Sequence, residues 1–117
     1  MISVVVSGVR KEEILHLAPG GRVSLSVSGH AGYAAKGNDI VCAGVSALVQ
    51  AAGAMLAGRK VPFSLMRGDG AFGFNCAVSE LDHERRMMVL YSLETAVRGI
   101  EMIAGSYPGH VEISFVE

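Results

Sequence analysis

Apolar and polar residues alternate in two segments near the start of the chain and in one at its end. Residues 2–7 (ISVVVS) and 22–28 (RVSLSVS) are short and rich in β-branched side chains, which is typical of strands. Pro19-Gly20-Gly21 separates them and indicates a break in regular structure. Residues 110–116 (HVEISFV) alternate after Pro108-Gly109, so we expect a closing strand there.

A further pair of strands is predicted in the middle of the chain. Residues 61–67 (VPFSLMR) and 71–78 (AFGFNCAV) are rich in apolar and aromatic side chains. Gly68-Asp69-Gly70 lies between them, and a glycine-rich turn of this kind favours a β-hairpin.

Two other segments repeat their apolar residues at steps of three and four, the period of a helix with one buried face. The first starts at Asp39 and should end near Gly58, with its apolar face at Val41, Val45, Leu48, Ala52, Met55 and Leu56. Asp82 is placed to cap the second helix. Its inward face is predicted at Val89, Leu90, Leu93, Ala96, Val97, Ile100 and Ile103.

The predicted order β-β-α-β-β-α-β indicates an α+β fold. Most neighbouring strands have no helix between them, so a mainly antiparallel sheet with both helices covering one face is more economical than a doubly wound parallel sheet. A length of 117 residues suits one core, and we expect a single domain over residues 1–117.

Composition and charge argue against several classes of protein. Half of the chain is hydrophobic, and 10 basic and 11 acidic residues give a formal charge of −1. Nucleic-acid binding by phosphate neutralisation needs Lys and Arg clustered on one face, so no direct nucleic-acid partner is expected. The first apolar run is too short for a signal peptide, and two cysteines without CxxC spacing fit a reducing compartment. We therefore expect a cytoplasmic protein without disulfides.

One segment resembles a membrane span in length. Residues 40–58 contain 19 positions without a charge, close to what crosses a bilayer. Ser46, Gln50 and frequent Gly and Ala lower its hydrophobicity, and no positive cluster flanks its start. A buried helix is therefore favoured, and no membrane association is expected.

The candidate chemistry lies in residues 29–44, GHAGYAAKGNDIVCAG. With Asp39 as the N-cap, Cys42 falls in the first helical turn, where the positive helix end favours an anionic thiolate. His30 ends a strand 12 residues earlier, and a glycine-containing loop can fold it back toward Cys42. A thiolate–imidazolium pair attacks a carbonyl group and later protonates the leaving amine.

The same helix start offers further groups. Its unpaired amides are placed to hold the oxygen of a tetrahedral intermediate. Gly44 would let the backbone or a substrate come close. Ser46 lies four residues after Cys42 and shares its helical face, so it could steady the thiolate or His30.

Each of these residues also has an ordinary structural role. A cysteine at a helix start is more often a small packed hydrophobe, an aspartate there is usually only a cap, and a lone histidine is usually solvated or satisfied in the core. Cys76 lies in a strand-like run without a nearby base, and we interpret it as structural. The spacing of cysteines and histidines does not fit a structural zinc site, so no metal is expected.

Three strings, GHA at residues 29–31, DIVCAG at 39–44 and VSAL at 45–48, are together similar to the signature of the Prp family of bacterial ribosomal-processing cysteine proteases. The resemblance covers the whole chain in length and element order. It implies a cysteine endopeptidase that removes a short N-terminal extension from a large-subunit ribosomal protein, the twenty-seventh of the bacterial series, during ribosome assembly. It also implies a homodimer. No cofactor is expected.

Carried over by position, the resemblance implies that His30 is the catalytic base and Cys42 the nucleophile. Asp39 and Ser46 match positions that family members also keep near the site. The peptide substrate is expected to be extended, docking along a strand edge or groove.

The segment between the histidine and the cysteine, residues 31–41 (AGYAAKGNDIV), matches what in the family is a mobile loop over the site. Gly32 and Gly37 are its expected hinges. Tyr33 is expected to contact substrate or cover the thiolate.

Two other functions are open at this point. A non-catalytic factor that binds a ribosomal protein or precursor ribosome would use His30 and Cys42 only structurally. A thiol redox sensor would require Cys42 and Cys76 to reach disulfide geometry.

Overall fold

The computed structural model describes residues 1–16, 20–35, 37–68 and 71–116, which form a five-stranded sheet and two helices. The strands are β1 Ile2–Ser7, β2 Val23–Gly29, β3 Ser64–Gly68, β4 Ala71–Cys76 and β5 Val111–Val116. The helices are α1 Ile40–Gly58 and α2 His83–Ser106, and a short 3₁₀ turn covers Val78–Glu80.

The strand order is β3-β4-β2-β1-β5. The pairs β1–β2, β2–β4 and β3–β4 are antiparallel. Strands β1 and β5 pair in parallel, because α2 crosses back over the sheet between β4 and β5, so that β5 runs in the same direction as β4 and β1. The predicted α+β fold with a mainly antiparallel sheet is confirmed.

One face of the sheet carries the core. Alternate strand residues are buried, among them Ile2, Val4, Val6, Val23, Leu25, Val27 and Phe74. The intervening positions of β1 and β2 are largely serines and are partly or fully exposed. This alternation is what a sheet covered on one side by helices requires.

The two helices approach each other closely at two glycines. A β-carbon on Gly44 would lie 3.0 Å from Cδ1 of Ile103, and one on Gly99 would lie 2.7 Å from Cδ1 of Leu48. These pairs run in opposite directions along the two helices, so α1 and α2 cross antiparallel. The close approach expected at Gly44 is therefore to a side chain of α2.

Two predicted strand bounds are wrong by more than one residue. Strand β3 starts at Ser64 instead of residue 61, because the Val61 amide donates to the Leu56 carbonyl at the end of α1 and Pro62 has no N–H. Strand β4 ends at Cys76, and Val78 begins the 3₁₀ turn. The β3–β4 pairing confirms the hairpin, although Asp69 and Gly70 of its turn lie outside the described residues, as does Pro19.

Helix α1 is long and apolar enough to cross a bilayer by length and composition alone, with a mean hydropathy of 1.9. In the structure, its residues Val41, Val45, Val49, Ala52 and Leu56 are buried in the core. Both expectations for its ends, an N-cap at Asp39 and an end near Gly58, are confirmed.

Candidate active site

Three of the elements meet at one end of the sheet. Gly29, at the end of β2, and Val111, at the start of β5, both pair with Ile2 of β1. His30 follows β2, and His110 precedes β5. The two histidines therefore leave the same end of the sheet from strands on either side of β1.

Gly29 sets the point at which the chain leaves β2. Its φ is +83°, and a β-carbon there would lie 2.5 Å from the carbonyl oxygen of Met1. Both the left-handed backbone and the close approach need glycine. The sequence pattern gave no structural reason for Gly29, because its close neighbour is known only once β1 and β2 are paired.

Asp39 holds both the helix start and the loop before it. Its Oδ1 accepts hydrogen bonds from the Val41 and Cys42 amides, each at 3.0 Å. Its Oδ2 accepts from the Tyr33 amide at 3.1 Å and the Ala34 amide at 3.4 Å. Among the residues that the structure describes, Asp39 is the one charged residue that is buried, with 9% of its surface exposed. One carboxylate thus fixes the loop relative to the helix.

These hydrogen bonds lower the pKa of Asp39. The Cys42 amide has the largest effect, burial opposes it, and the other three amides add to it. A depressed pKa means that the ionised carboxylate stabilises the fold above its ordinary value of 3.8, and that this contribution is lost as the pH falls through the lower folded value. At neutral pH Asp39 is therefore an anion that accepts hydrogen bonds, and it has no proton to donate.

Cys42 lies in the first turn of α1, as its spacing from Asp39 predicted. Its Sγ accepts a hydrogen bond from the Ala31 amide at 3.3 Å, and its side chain is half-buried. Because the Ala31 amide nitrogen is bonded to His30, the Cα of His30 lies within about 6 Å of the sulfur. The structure therefore brings His30 and Cys42 together, although these two side chains are not hydrogen-bonded and the imidazole is exposed.

Two expectations for the helix start are not met. The Val41 and Cys42 amides are occupied by Asp39, so they are not free to hold an oxyanion. The Ser46 Oγ accepts from Nε2 of Gln50 at 2.7 Å and bonds neither Cys42 nor His30.

Aromatic side chains anchor the loop at Tyr33. The Tyr33 ring makes edge contacts with Tyr107 at 5.1 Å and with His110 at 5.5 Å between ring centroids, while 44% of the residue is exposed. Gly32 and Gly37 have φ values of +67° and +92°. Lys36, which precedes Gly37, lies outside the described residues.

His110 is a site residue that the sequence analysis missed. Its Nδ1 donates to the Ala31 carbonyl at 2.7 Å. No local motif marks it, since it follows Ala31 by 79 positions and reaches it only through the β1–β5 pairing.

Cys76 lies at the other end of the sheet. It pairs with Val23 at the start of β2, whereas Cys42 contacts Ala31 beyond the end of that strand. The length of β2 puts the two cysteines on the order of 20 Å apart, far beyond disulfide geometry. The redox-sensor alternative that needs this pair is therefore wrong.

The surroundings of Cys76 are those of a core residue. It is 1% exposed, its Sγ donates to the Pro62 carbonyl at 3.1 Å, and burial raises its pKa. Among the residues that the structure describes, no group of three or more His, Cys, Asp or Glu side chains could hold a metal ion.

A groove of about 650 Å³ lies between α1 and the β3–β4 hairpin. Gln50 and Gly53 of α1 line one wall, and Leu65 and Phe72 line the other. The end of the groove at Gly68 and Ala71 lies at the end of the sheet from which His30 leaves, because Ala71 pairs with both Gly68 and Ser28, two residues before His30. This end of the groove and the Cys42 end of α1 therefore lie at the same end of the molecule.

Comparisons with known proteins identify the family of this chain. The cysteine protease Prp family matches residues 11–112. The ribosomal processing cysteine protease Prp of Bacillus subtilis is 32% identical over 97 residues, which cover 80% of this chain and 86% of that protein.

Solved structures share the fold over nearly the whole chain. The ribosomal processing protease Prp from S. aureus, with a covalently linked product peptide, matches with a TM-score of 0.76 at 24% identity, covering 98% of this chain and 99% of that one. A protein from Streptococcus mutans matches with a TM-score of 0.67 at 24% identity, covering 100% and 96%. These structures show the shared fold, and the family match together with the Bacillus subtilis relative shows that the chain belongs to the cysteine protease Prp family and is a cysteine protease.

Proposed function

We propose that this protease removes the N-terminal extension of a large-subunit ribosomal protein, the twenty-seventh of the bacterial series, during ribosome assembly. Cys42 is the nucleophile and His30 the general base and acid. The observation that carries the assignment is the hydrogen bond from the Ala31 amide to the Cys42 sulfur, because it ties the residue next to His30 to the thiol. The name of the Bacillus subtilis relative, a ribosomal processing protease, supports the substrate class.

The reaction proceeds in two stages. His30 takes the proton of the Cys42 thiol, and the thiolate attacks the scissile carbonyl carbon to form a C–S bond. The imidazolium then donates this proton to the leaving amine as the C–N bond breaks, and a thioester on Cys42 remains. His30 next removes a proton from water, whose oxygen attacks the thioester, and the protonated imidazole restores the thiol as the acid departs. The Ala31 amide is directed at the sulfur and interacts more favourably with thiolate than with thiol.

The groove supplies a path for the peptide. Cys42, Ser46 and Gln50 follow one another at four-residue steps along one face of α1, so the thiol and the groove lie on the same side of the helix. Cys42 and Gln50 are about 12 Å apart along the axis, the span of about four extended residues. An extended substrate with its scissile bond at Cys42 would place apolar side chains against Leu65 and Phe72, and β3 is an edge strand with free backbone groups. The structure of the S. aureus protease with a substrate peptide supports peptide binding within this fold.

The resemblance supports two further proposals, a homodimer and a cytoplasmic location. Sedimentation of a micromolar solution should give twice the chain mass of 12.2 kDa, and a monomer mass would contradict the first. Fractionation of the source cells should place the chain with the ribosomes or the soluble fraction, and recovery in the membrane fraction would contradict the second.

The test is mass spectrometry of the host ribosomal protein, or a peptide of its N-terminal extension, after incubation with the wild type, Cys42→Ala or Cys76→Ala. Cleavage at one bond is expected with the wild type and Cys76→Ala, and intact substrate with Cys42→Ala. His30→Ala should also leave the substrate intact. Cleavage by Cys42→Ala would refute the mechanism. Intact substrate with folded, reduced wild type that still binds the peptide would support the non-catalytic binding factor instead.

A further inference from the structure

We infer that His110 is a positioning residue of the active site, whose ring holds the Ala31 peptide against Cys42 and thereby fixes where His30 leaves the sheet. The inference rests on the proposed role of Cys42 as nucleophile. It adds a second histidine to the site, one that acts through the backbone without touching the sulfur.

Ala31 is held from both sides. Its amide donates to the Cys42 Sγ at 3.3 Å, and its carbonyl accepts from Nδ1 of His110 at 2.7 Å. The residue is 3% exposed, so water does not supply an alternative partner for either group. Loss of the His110 donor would leave a buried carbonyl unsatisfied beside the thiol, and the peptide would shift to recover a partner.

The His110 ring starts from a rigid backbone. Its carbonyl accepts from the Ile2 amide at 3.0 Å, and its amide donates to the Tyr107 carbonyl at 3.3 Å. The parallel pairing of β1 and β5 begins at the next residue. The sheet that positions the end of β2 therefore also positions His110. His30 and His110 are both held by strands that pair with β1.

The Tyr33 ring also contacts the His110 ring. Its edge contact with His110 at 5.5 Å and its amide bond to Asp39 at 3.1 Å connect the imidazole to the helix cap. The same ring thus contacts both Ala31 and Tyr33, which belong to the segment between His30 and Cys42. Because the carbonyl of Ala31 accepts only from a protonated nitrogen, Nδ1 carries hydrogen in this arrangement.

Two nearly isosteric variants separate the hydrogen bond from packing. Asn in His110→Asn can place an N–H donor near the position of Nδ1, whereas Leu in His110→Leu fills a similar volume without a donor. The first readout is the rate at which iodoacetamide alkylates Cys42, followed by mass spectrometry, with the buried Cys76 as an internal reference. The second is kcat and KM on the extension peptide.

We expect His110→Leu to slow Cys42 alkylation and lower kcat by about tenfold, the effect of one hydrogen bond, with little change in KM. His110→Asn should restore most of both rates. His83→Leu, at the exposed start of α2, should match the wild type. Wild-type rates in His110→Leu, or equal loss in both His110 variants at unchanged melting temperature, would overturn the inference.

The alkylation measurement needs no substrate. If the wild type fails to cleave the peptide, the proposed substrate is wrong, while the alkylation rates still decide the role of His110. If His110→Leu does not fold, His110→Asp replaces it, since Asp has the shape of Asn and no donor at neutral pH.

Discussion

The two ends of α1 are closed by different chemistry. At the C-terminal end the Lys60 amide donates to the Ala57 carbonyl at 3.1 Å and the Val61 amide to the Leu56 carbonyl at 2.9 Å. This is a Schellman motif, built from backbone groups alone. At the N-terminal end one carboxylate, that of Asp39, accepts from four amides.

The difference separates what a helix needs from what the site needs. A helix start is capped when a side-chain oxygen takes the amides of its first turn, which Oδ1 of Asp39 does. The two hydrogen bonds to Oδ2 come from Tyr33 and Ala34 in the loop and add nothing to the helix. The two bonds of the Schellman motif at the C-terminal end join only the last residues of α1 to Lys60 and Val61. We therefore interpret the second oxygen of Asp39 as the part of the cap that holds the loop beside Cys42.

Asp39→Asn should break this arrangement with the largest effect. An amide has one acceptor oxygen, so Asn can cap α1 or hold the loop, and its NH₂ group would face N–H donors on the other side. Asn is a good N-cap, so the helix should keep its oxygen and the loop should be released. We expect kcat/KM on the extension peptide to fall about a hundredfold, because a misplaced catalytic group has costs of this order.

Asp82→Asn is the matched control for Asp39. Asp82 caps α2, and its Oδ1 accepts from the Arg85 amide at 2.8 Å. Asp82 is exposed and has no contact with the loop, so the variant should cleave as the wild type and melt no lower than Asp39→Asn. Wild-type cleavage by Asp39→Asn would show that the Oδ2 contacts are dispensable.

Features that depend on a few neighbouring residues could be predicted from the sequence. Asp39 and Cys42 are three residues apart, so a cap rule and a helical period were enough to place the thiol in the first turn. The interior strands and α2 were also predicted, because each carries its period within one segment. Local pattern failed at Val61, whose amide belongs to the end of α1 although its side chain is typical of a strand.

The missed parts of the site depend on pairings between distant segments. Gly29 is required because Met1 passes beside it, and His110 reaches Ala31 because β5 pairs with β1. Neither pairing leaves a local signal. The expectation of free amides at the helix start was wrong for another reason. The Asp39 side chain that caps the helix also accepts hydrogen bonds from the Val41 and Cys42 amides.

Gly53→Leu tests the stretch of α1 between its two ends. A β-carbon at Gly53 would have no atom within 4 Å, and the residue lines the groove. Leu should therefore fill the groove without strain and raise KM about tenfold, the equivalent of one lost apolar contact, while kcat changes little. Gly53→Ala should give the same gain in helix propensity without filling the groove, so its KM should match the wild type. An unchanged KM in Gly53→Leu would place the peptide elsewhere.

The smallest effect is expected at the C-terminal end of α1, with Lys60→Gly. Lys60 has a φ of +58°, which costs a residue with a β-carbon energy that glycine does not incur. We expect the free energy of unfolding to rise by about 0.5–1 kcal/mol, after subtraction of the greater chain entropy of glycine, with kcat/KM unchanged.

Arg59→Gly provides the opposite sign one residue earlier. Arg59 has an ordinary φ of −93°, so glycine there brings only its entropic cost and should lower stability by about 0.5–1 kcal/mol. Urea unfolding of both variants, with cleavage measured beside it, decides the comparison. A helix end that serves only the helix can change in stability without changing the site, so Lys60→Gly should leave cleavage unchanged. If Lys60→Gly alters cleavage while Asp39→Asn does not, the end of α1 that supports the site would be the C-terminal one, with the Schellman motif.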